Sequence, residues 1–355
     1  MMGILDRYIA RTVLASALLT LLVVLSLEVV FDFLAETEEV GRGDYTTVQA
    51  LLYTLLSAPY RAYQTFPFAT LIGSLLGLGA MAQRHELVVI RAAGVSVGGV
   101  ARSVVLAGLV LAAIAFVLGE LVAPSAQRTA ERLKAEAISD RVTKGEATGF
   151  WARDGQHFIE VDRAPTPRRL EGLRVYRLGA DGGVASVLEA PAADYRRGQW
   201  RLTRATITRL EGQGVAVTRQ GPGVWETGLE PEVLDVVVVE PSRLPIFDLA
   251  TYIDYLERND LESERYRLAF WVKIATPIAV VTMLVLTVPL VFGSLREKGT
   301  GRQLFLGIII GMAFYFTNRV LNYVGLVYGL PVMLSALGPP LLFLAAGIWG
   351  MRRSR

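Results

Sequence analysis

Few residues in this sequence could perform catalysis or bind a metal ion. Cysteine is absent, and the two histidines, His85 and His157, lie far apart in the chain. Iron–sulfur clusters, thiol chemistry and a site built from several histidine ligands are therefore excluded. The chain also lacks the glycine-rich loop that cradles nucleotide phosphates and the common serine-hydrolase and zinc-protease motifs. We predict a chain with no catalytic residues, no metal site and no cofactor of its own.

The most informative polar spacing lies in residues 83–96, between two apolar blocks. Its candidate contact residues are Glu86, Leu87, Ile90, Arg91 and Gly94. Their spacing predicts a short helix that ends near the glycine. A partner can push such a helix if it binds the Glu86 carboxylate in a basic groove. An ordinary interfacial helix, with Arg91 facing lipid headgroups, is an equally good interpretation.

Basic side chains form a second candidate site, at ends of apolar blocks that are predicted to face away from the cytoplasm. They are Arg61, Arg128, Arg132 and Lys134. Arg128 and Arg132 share a helix face because they are four residues apart. Together these cations are suited to an anionic amphiphile that emerges from the bilayer. Contact with ordinary lipid headgroups is the slightly stronger alternative.

Charges inside apolar blocks are costly and therefore suggest function. The residues concerned are Glu28, Asp32, Lys273 and Arg319. The last three fall near predicted interfaces, so ordinary interfacial contacts explain them. Glu28 lies deeper, and the sequence indicates no partner for it.

Long apolar blocks must position these side chains. Of the 355 residues, 52% are hydrophobic and 19% are charged, whereas about a quarter of a soluble domain is charged. Six blocks are long enough to cross a bilayer: about 8–34, 66–82, 104–122, 270–292, 304–321 and 332–351. This pattern excludes a disordered chain and a soluble enzyme with one core. No small-residue cleavage site follows the first block, so we predict a retained helix and not a signal peptide.

Prolines and glycines refine these blocks. Pro59 and Pro67 predict a kinked or stepped entry into the second block, and Pro124 predicts the end of the third. Residues 73–77 and 307–311 have glycines four apart, which lets helices approach closely. The sequence does not decide whether these glycines pack within the chain or against a second subunit.

Loop charges predict the orientation. Arginine precedes the first block, recurs in the loop between the second and third, and follows the sixth, and arginine and lysine lie between the fourth and fifth, whereas the loop after the first block is acidic. The positive-inside rule therefore places both termini in the cytoplasm. The hydrophilic interval 125–266 then lies outside, and it is long enough for its own core. Because topology explains the net charge of +3, we predict no nucleic-acid partner.

The interval 125–266 has the pattern of an antiparallel sandwich or roll. Predicted strands span 157–162, 173–178, 184–188, 200–210, 215–219 and 234–239. Residues 181–183, Asp-Gly-Gly, predict a hairpin turn. A short amphipathic helix with Leu249, Ile253 and Leu256 then leads back to the membrane. The predicted fold class is an α+β membrane protein of six transmembrane helices with an inserted β domain, divided into 1–124, 125–266 and 267–355.

Several short stretches, taken in order and spacing, resemble one family across essentially the whole chain. They are 5–9, 53–59, 66–67, 76–79, 86–94, 119–124, 269–273 with Pro277, and 292–296. The family is that of the LptF/LptG permeases. The resemblance implies an ABC transporter of the bacterial inner membrane that extracts lipopolysaccharide and passes it through periplasmic β-jellyroll domains toward the outer membrane of a Gram-negative cell.

The resemblance also implies partners and residue roles. An LptF-like second permease, an LptB-like ATPase dimer that binds ATP and Mg²⁺, and an LptC-like single-span protein would complete the complex. The 83–96 segment becomes the coupling helix, in which Glu86 matches the acidic residue of the family. The basic residues, with Arg319, contact the anionic headgroup, and Phe66 joins apolar faces of the first, second and fifth spans around the acyl chains. One departure is the acidic stretch 31–39, where some members have lysines that contact lipopolysaccharide. The headgroup would then be held by residues such as Arg61 and Arg132, or divalent cations would bridge the anions.

Two other classes of function compete with a permease subunit. A stand-alone secondary transporter predicts ionisable residues paired at the bilayer midplane and broken helices, and Glu28 alone fits that pattern. A membrane-anchored scaffold would recruit periplasmic proteins through its β domain. It would need no coupling helix, so the 83–96 segment argues against it.

Overall fold

The computed structural model describes residues 3–138, 148–166, 168–179, 183–196, 198–211, 214–225, 227, 240–292 and 300–353. Within these ranges, six helices are long and apolar enough to cross a membrane, which confirms the predicted number. An antiparallel sheet is inserted between the third and fourth of them, so the α+β membrane fold class is also confirmed. The predicted strand at 234–239 and most of the Asp-Gly-Gly turn lie outside the described residues.

The helices are numbered in chain order. They are α1 (Ile4–Glu36), α2 (Thr47–Gln83), α3 (Glu86–Ala92), α4 (Val97–Val117), α5 (Ala123–Ile138), α6 (Ile246–Arg258), α7 (Glu264–Phe292), α8 (Thr300–Tyr328) and α9 (Val332–Arg353). A π-helical turn, Leu118–Val122, joins α4 to α5. Contacts divide the chain into a helical unit, Met1–Lys134 with Glu264–Arg355, and a second unit, Ala135–Ser263.

Helix α2 is the central helix of the helical unit. It packs against α1, α7 and α8, and 78% of its most apolar window is buried, compared with 11% in α1. Thr46 caps its first turn in a box with Gln49, well before the predicted start of the second span. Of the two predicted alternatives, the stepped entry is wrong, because Pro59 and Pro67 both lie inside one uninterrupted helix, and the kinked entry stays a prediction. Arg61 therefore projects from within this helix and does not precede it.

The structure shows what the two glycine pairs, at 73–77 and 307–311, pack against. A Cβ on Gly73 would lie 2.5 Å from the Ala17 Cα, and one on Gly77 would overlap Ser16. Likewise Gly311 of α8 lies against the Phe68 ring of α2. Both pairs therefore pack within the chain, and they let α1 and α8 approach opposite parts of the central helix closely.

The third span does not end at Pro124 as predicted. The π-helical turn interrupts the regular hydrogen bonding just before the proline, and α5 then continues to Ile138. A proline is tolerated near the start of a helical segment, where its missing N–H is not needed. Residues 126–138 therefore extend the helix of the third span beyond the proline.

The second unit contains an antiparallel sheet. The described strands are β1 (Thr148–Asp154), β2 (His157–Thr166), β3 (Arg169–Leu178), β4 (Val184–Arg196), β5 (Gln199–Leu202), β6 (Ala205–Glu211), β7 (Gly214–Gln220) and β8 (Gly223–Trp225). Their order is β1-β2-β3-β4-β5-β8, with β6 between β4 and β7. The first half of β4 pairs with β6 and the second half pairs with β5. The sheet therefore divides along its longest strand.

Alternation along the strands builds one buried face. Ile159 and Val161 of β2 are fully buried, as the pattern at 157–162 predicts. Leu170, Leu173 and Trp200 extend this core from the neighbouring strands. The predicted strand 200–210 is wrong in one respect, since a bend at 203–204 divides it into β5 and β6. The predicted amphipathic helix is confirmed as α6, which buries Leu249 and Leu256.

The environment of Glu160 in the sheet predicts that the stability of the sheet depends on pH. Tyr176 donates a hydrogen bond to Glu160 at 2.8 Å, and Arg174 lies 3.0 Å away, so the pKa of Glu160 is lowered. A lowered folded-state pKa stabilises the fold above the ordinary glutamate range near pH 4.3, and this contribution is lost as the pH falls through the folded-state value. We expect that in Glu160→Gln the hydrogen-exchange protection of β2 and β3 falls less as the pH is lowered than it does in the unsubstituted chain. The control, Glu262→Gln, replaces an exposed carboxylate outside the sheet and should leave hydrogen exchange in β2 and β3 as in the unsubstituted chain. Equal profiles for both variants would contradict this prediction.

Candidate functional site

Helix α3 is short, and its two ends are set by backbone conformation. His85 precedes it with a left-handed φ of 60°, which turns the chain sharply after α2. At the other end Gly94 has a φ of 91° and donates to the Arg91 carbonyl, while Val95 donates to the Ile90 carbonyl. These two bonds form a Schellman motif. The prediction that Gly94 ends a short helix in the 83–96 segment is confirmed.

The faces of α3 separate the predicted contact residues into two groups. Leu87 and Ile90 are 4% and 8% exposed, and they belong to the core of the helical unit. Arg91 is exposed, as is Val89, which is 66% accessible. The two buried residues therefore anchor the helix on the bundle, and the opposite face is open to a partner.

A cavity of about 330 Å³ lies beside α3. It is lined by Ala82, Leu87, Val88, Arg91, Ala92, Val291 and Phe292. One wall is α3 with the end of α2, and the other is the end of α7. Apart from Arg91, the lining side chains are apolar, which suits a partner surface that inserts an apolar side chain beside an acidic one.

Glu86 is held in place by the first helix. The Tyr8 hydroxyl of α1 donates to Glu86 Oε2 at 2.8 Å, and Arg84 Nη1 lies 4.0 Å from Oε1. Nearby, the Ser103 hydroxyl of α4 donates to Asp6 at 2.5 Å. The start of α1 is therefore fastened to both α3 and α4. Sequence reasoning missed Tyr8, and no spacing pattern could have placed it beside Glu86.

The end of the spans opposite α3 carries paired charges. Arg61 Nε lies 2.8 Å from Asp32, and Lys134 Nζ lies 2.5 Å from Glu36. The Lys134 ammonium also lies 4.9 Å from the centre of the Tyr53 ring. Tyr45 is buried and donates to Glu36, and burial raises the pKa of its hydroxyl. Two of the predicted headgroup-binding cations are thus already neutralised within the chain.

The acidic face of α1 accounts for these pairs. Glu28, Asp32 and Glu36 are spaced by four residues, so they lie on one face of the helix. Thr65 donates to Glu28 at 3.5 Å, which supplies the contact that the sequence left unnamed. These acids therefore join α1 to α2 and α5. Their regular spacing was the signal from which this face could have been recognised.

The other predicted lipid contacts occupy different environments. Arg132 and Arg319 are exposed, and neither makes an ion pair with another described residue. Arg128 is half-buried and has further contacts of its own. Phe66 is 2% exposed and lies in the core of the helical unit. Over the described part of the chain, no group of three or more acidic or histidine residues is arranged to hold a metal ion.

Lys273 does not make the ordinary exposed contacts that were expected of it near an interface. Its side chain is 4% exposed, and Nζ lies 2.7 Å from Glu120 Oε1 and 3.1 Å from the Gly119 carbonyl oxygen. Both acceptors belong to the π-helical turn of the third span. Sequence reasoning missed Glu120 as a partner because the residues are far apart in the chain. The sequence feature that could have indicated this pair is one acidic and one basic residue in two different apolar spans.

Comparison with known proteins identifies the relatives of this chain. Residues 7–353 match the family model for "Lipopolysaccharide export system permease LptF/LptG". The chain is 33% identical over 354 residues to the lipopolysaccharide export system permease protein LptG of Escherichia coli K12, an alignment that covers 99% of this chain and 98% of the relative. It is 32% identical over 357 residues to LptG of Haemophilus influenzae, with both chains fully covered.

Proposed function

The chain belongs to the LptF/LptG family of lipopolysaccharide export system permeases, and we propose that it is the non-catalytic membrane subunit of an ATP-driven exporter. In this proposal it extracts lipopolysaccharide from the inner membrane and passes it to a periplasmic bridge for delivery to the outer membrane. A separate LptB-like dimer binds ATP and Mg²⁺ and supplies the energy. An LptF-like subunit completes the membrane part, and an LptC-like single-span protein continues the bridge.

The observation that carries this proposal is the construction of α3. Leu87 and Ile90 fix one face of it to the bundle, whereas Arg91 is exposed beside the cavity and Glu86 is held by Tyr8 at the start of the helix. A helix of this kind transmits a push as a rigid body and does not deform. Glu86, Arg91 and the cavity would form the contact with the ATPase, and Gly94 would terminate the helix.

Contacts at the start of α1 suggest how the push reaches the substrate path. Tyr8 bonds to Glu86 and Asp6 bonds to Ser103, so a displacement of α3 acts on α1 and α4 together. Helices α1 and α8 each expose apolar side chains along much of their length, among them Leu22, Phe31, Phe305 and Phe316. With an LptF-like subunit, these faces would wall an acyl-chain cavity that narrows when the spans shift.

The proposed orientation places α3 and both termini in the cytoplasm. It rests on the positive charge of the loops at that end and the acidic loop at the other. The β-rich unit then lies in the periplasm, where its sheet would receive the acyl chains and lead them to the bridge. Labelling of single introduced cysteines from either side of the membrane tests this orientation without background, because the chain has no cysteine.

Arg132 is the cation best placed to meet the anionic headgroup. It is exposed and, unlike Arg61 and Lys134, makes no ion pair with the described residues. We expect Arg132→Glu to reduce photo-crosslinking to lipopolysaccharide by about tenfold, which corresponds to losing roughly 1.4 kcal/mol of attraction. Arg11→Glu serves as the control, because it makes the same charge change near the start of α1, at the other end of the spans from Arg132. Unchanged crosslinking in Arg132→Glu would remove the headgroup assignment.

One observation favours the stand-alone transporter. Such a protein pairs ionisable residues inside the membrane, and Glu120 and Lys273 form a buried pair between two spans. Co-purification with candidate ATPases, followed by lipid transfer with and without them, separates the two functions. The exporter predicts a stable complex and no transfer by the chain alone. Transfer by the isolated chain in the absence of any ATPase would favour the alternative.

A further inference from the structure

Three helices meet around a single buried cation near one end of the third and fourth spans. Lys273 of α7 donates to the Glu120 carboxylate and to the Gly119 carbonyl oxygen, both in the π-helical turn. Its ammonium also lies 5.7 Å from the centre of the Tyr63 ring of α2. Gly119 packs so closely on that ring that a Cβ would overlap it. The Lys273 ammonium is therefore enclosed by the π-helical turn and the Tyr63 ring.

The π-helical turn and the cation depend on each other. A π-helical turn widens the backbone and leaves a carbonyl group out of the regular hydrogen-bonding ladder, and such turns are frequent at functional sites. Here the Gly119 carbonyl accepts from Lys273, so the ammonium satisfies a group that the turn releases. Glu120 neutralises the same ammonium at 2.7 Å. Removal of the Glu120 carboxylate alone would leave the Lys273 ammonium buried without its counter-charge, which is strongly destabilising.

The position of this pair in the chain suggests its role. Glu120 lies in the span from which the chain leaves the helical unit, and Lys273 lies in the span by which it returns. A buried ion pair commonly contributes less to stability than a hydrophobic contact of similar size, but it fixes one arrangement of the helices. In a transporter, two spans that are fixed in this way shift together.

We propose that the Glu120–Lys273 pair is a positioning element for transport, which holds the third and fourth spans as one body through each cycle. The proposal rests on the proposed export function. Neither residue reacts with substrate. Both residues keep the π-helical turn in a fixed position against α7. A displacement of α3 then moves the third and fourth spans together and does not make them slide past each other. Without the pair, ATP hydrolysis continues but moves less lipid.

The test uses the double variant Glu120→Gln with Lys273→Met, which leaves no unpaired charge and is therefore expected to fold. In the reconstituted complex with its ATPase, hydrolysis should persist while lipopolysaccharide released per ATP falls about two- to thirtyfold, the range found for residues in coupling networks. The control is Ser74→Ala with Thr287→Val, which removes another buried polar contact, of 2.8 Å, between α2 and α7. It should leave the ratio unchanged. If the double variant releases as much lipopolysaccharide per ATP as the unsubstituted chain, the proposal is overturned.

A second measurement does not depend on transport. Spin labels on introduced cysteines at Val117 and Arg265, both exposed, report the separation of α4 and α7 in the chain alone in lipid nanodiscs. The unsubstituted chain should give one narrow distance distribution, and the Glu120→Gln, Lys273→Met variant a broader one. Equal distributions would overturn the positioning role. If the unsubstituted complex releases no lipid, the export function fails, while the label distances still decide what the pair does.

Discussion

Replacement of Glu86 with alanine is expected to weaken association with the partner ATPase at least roughly thirtyfold and to abolish lipid-stimulated hydrolysis. Tyr8 orients this carboxylate at the exposed end of α3, beside the cavity that would receive the partner. Truncation of one member of a buried, hydrogen-bonded charge pair at an interface costs about 2 kcal/mol or more. Pull-down of the purified chain with the ATPase, followed by hydrolysis assays in proteoliposomes, measures both effects.

Two control variants separate binding from folding at this site. Tyr8→Phe removes a hydrogen bond of 2.8 Å but keeps the carboxylate, so we expect a smaller loss of roughly two- to tenfold. Glu38→Ala removes an exposed carboxylate at the opposite end of α1 and should have no effect. Normal ATPase association in Glu86→Ala would show that α3 is an ordinary interfacial helix.

Replacement of Gly73 with alanine is expected to lower the free energy of unfolding by about 1–3 kcal/mol. The new Cβ would lie 2.5 Å from the Ala17 Cα and 2.6 Å from the Ser16 carbonyl oxygen. Both are backbone atoms, so rotation of a side chain cannot relieve the overlap. Helix α1 must move away from α2, which also opens a wall of the proposed acyl-chain cavity. Thermal unfolding in detergent and lipid release by the complex measure the two consequences.

The matched control for Gly73 is Gly301→Ala in the first turn of α8. A Cβ at Gly301 meets nothing within 4 Å, and alanine is the better helix former. This variant should therefore be as stable as the unsubstituted chain or slightly more stable. If Gly73→Ala behaves in the same way, then the close packing of α1 on α2 does not limit stability.

Local patterns in the sequence predicted most of the architecture. Six apolar blocks, the alternation around Ile159 and Val161, and the glycine after α3 each depend on residues close together in the chain. Periodicity is sufficient for such features. The fold class and the existence of α3 therefore followed from sequence. Prolines were less reliable, because Pro59, Pro67 and Pro124 all lie within helices that continue past them.

The contacts that define the candidate site could not be predicted in the same way. Tyr8 with Glu86 and Glu120 with Lys273 join residues 78 and 153 positions apart, and their pairing depends on how the helices pack. The basic residues illustrate the same point. Arg61 and Arg132 look alike in the sequence, but Arg61 is paired with Asp32 whereas Arg132 remains exposed. Only the packed helices distinguish a cation used within the chain from one available to a ligand.

The most direct test of the export function is ATP-dependent release of lipopolysaccharide. The chain is reconstituted in proteoliposomes with an LptF-like subunit and an LptB-like ATPase, and transfer to a soluble periplasmic acceptor is followed by crosslinking. We predict release that requires ATP and all three proteins and that is lost in Glu86→Ala. Release without ATP hydrolysis, or equal release when this chain is omitted, would contradict its role as a permease subunit of the exporter.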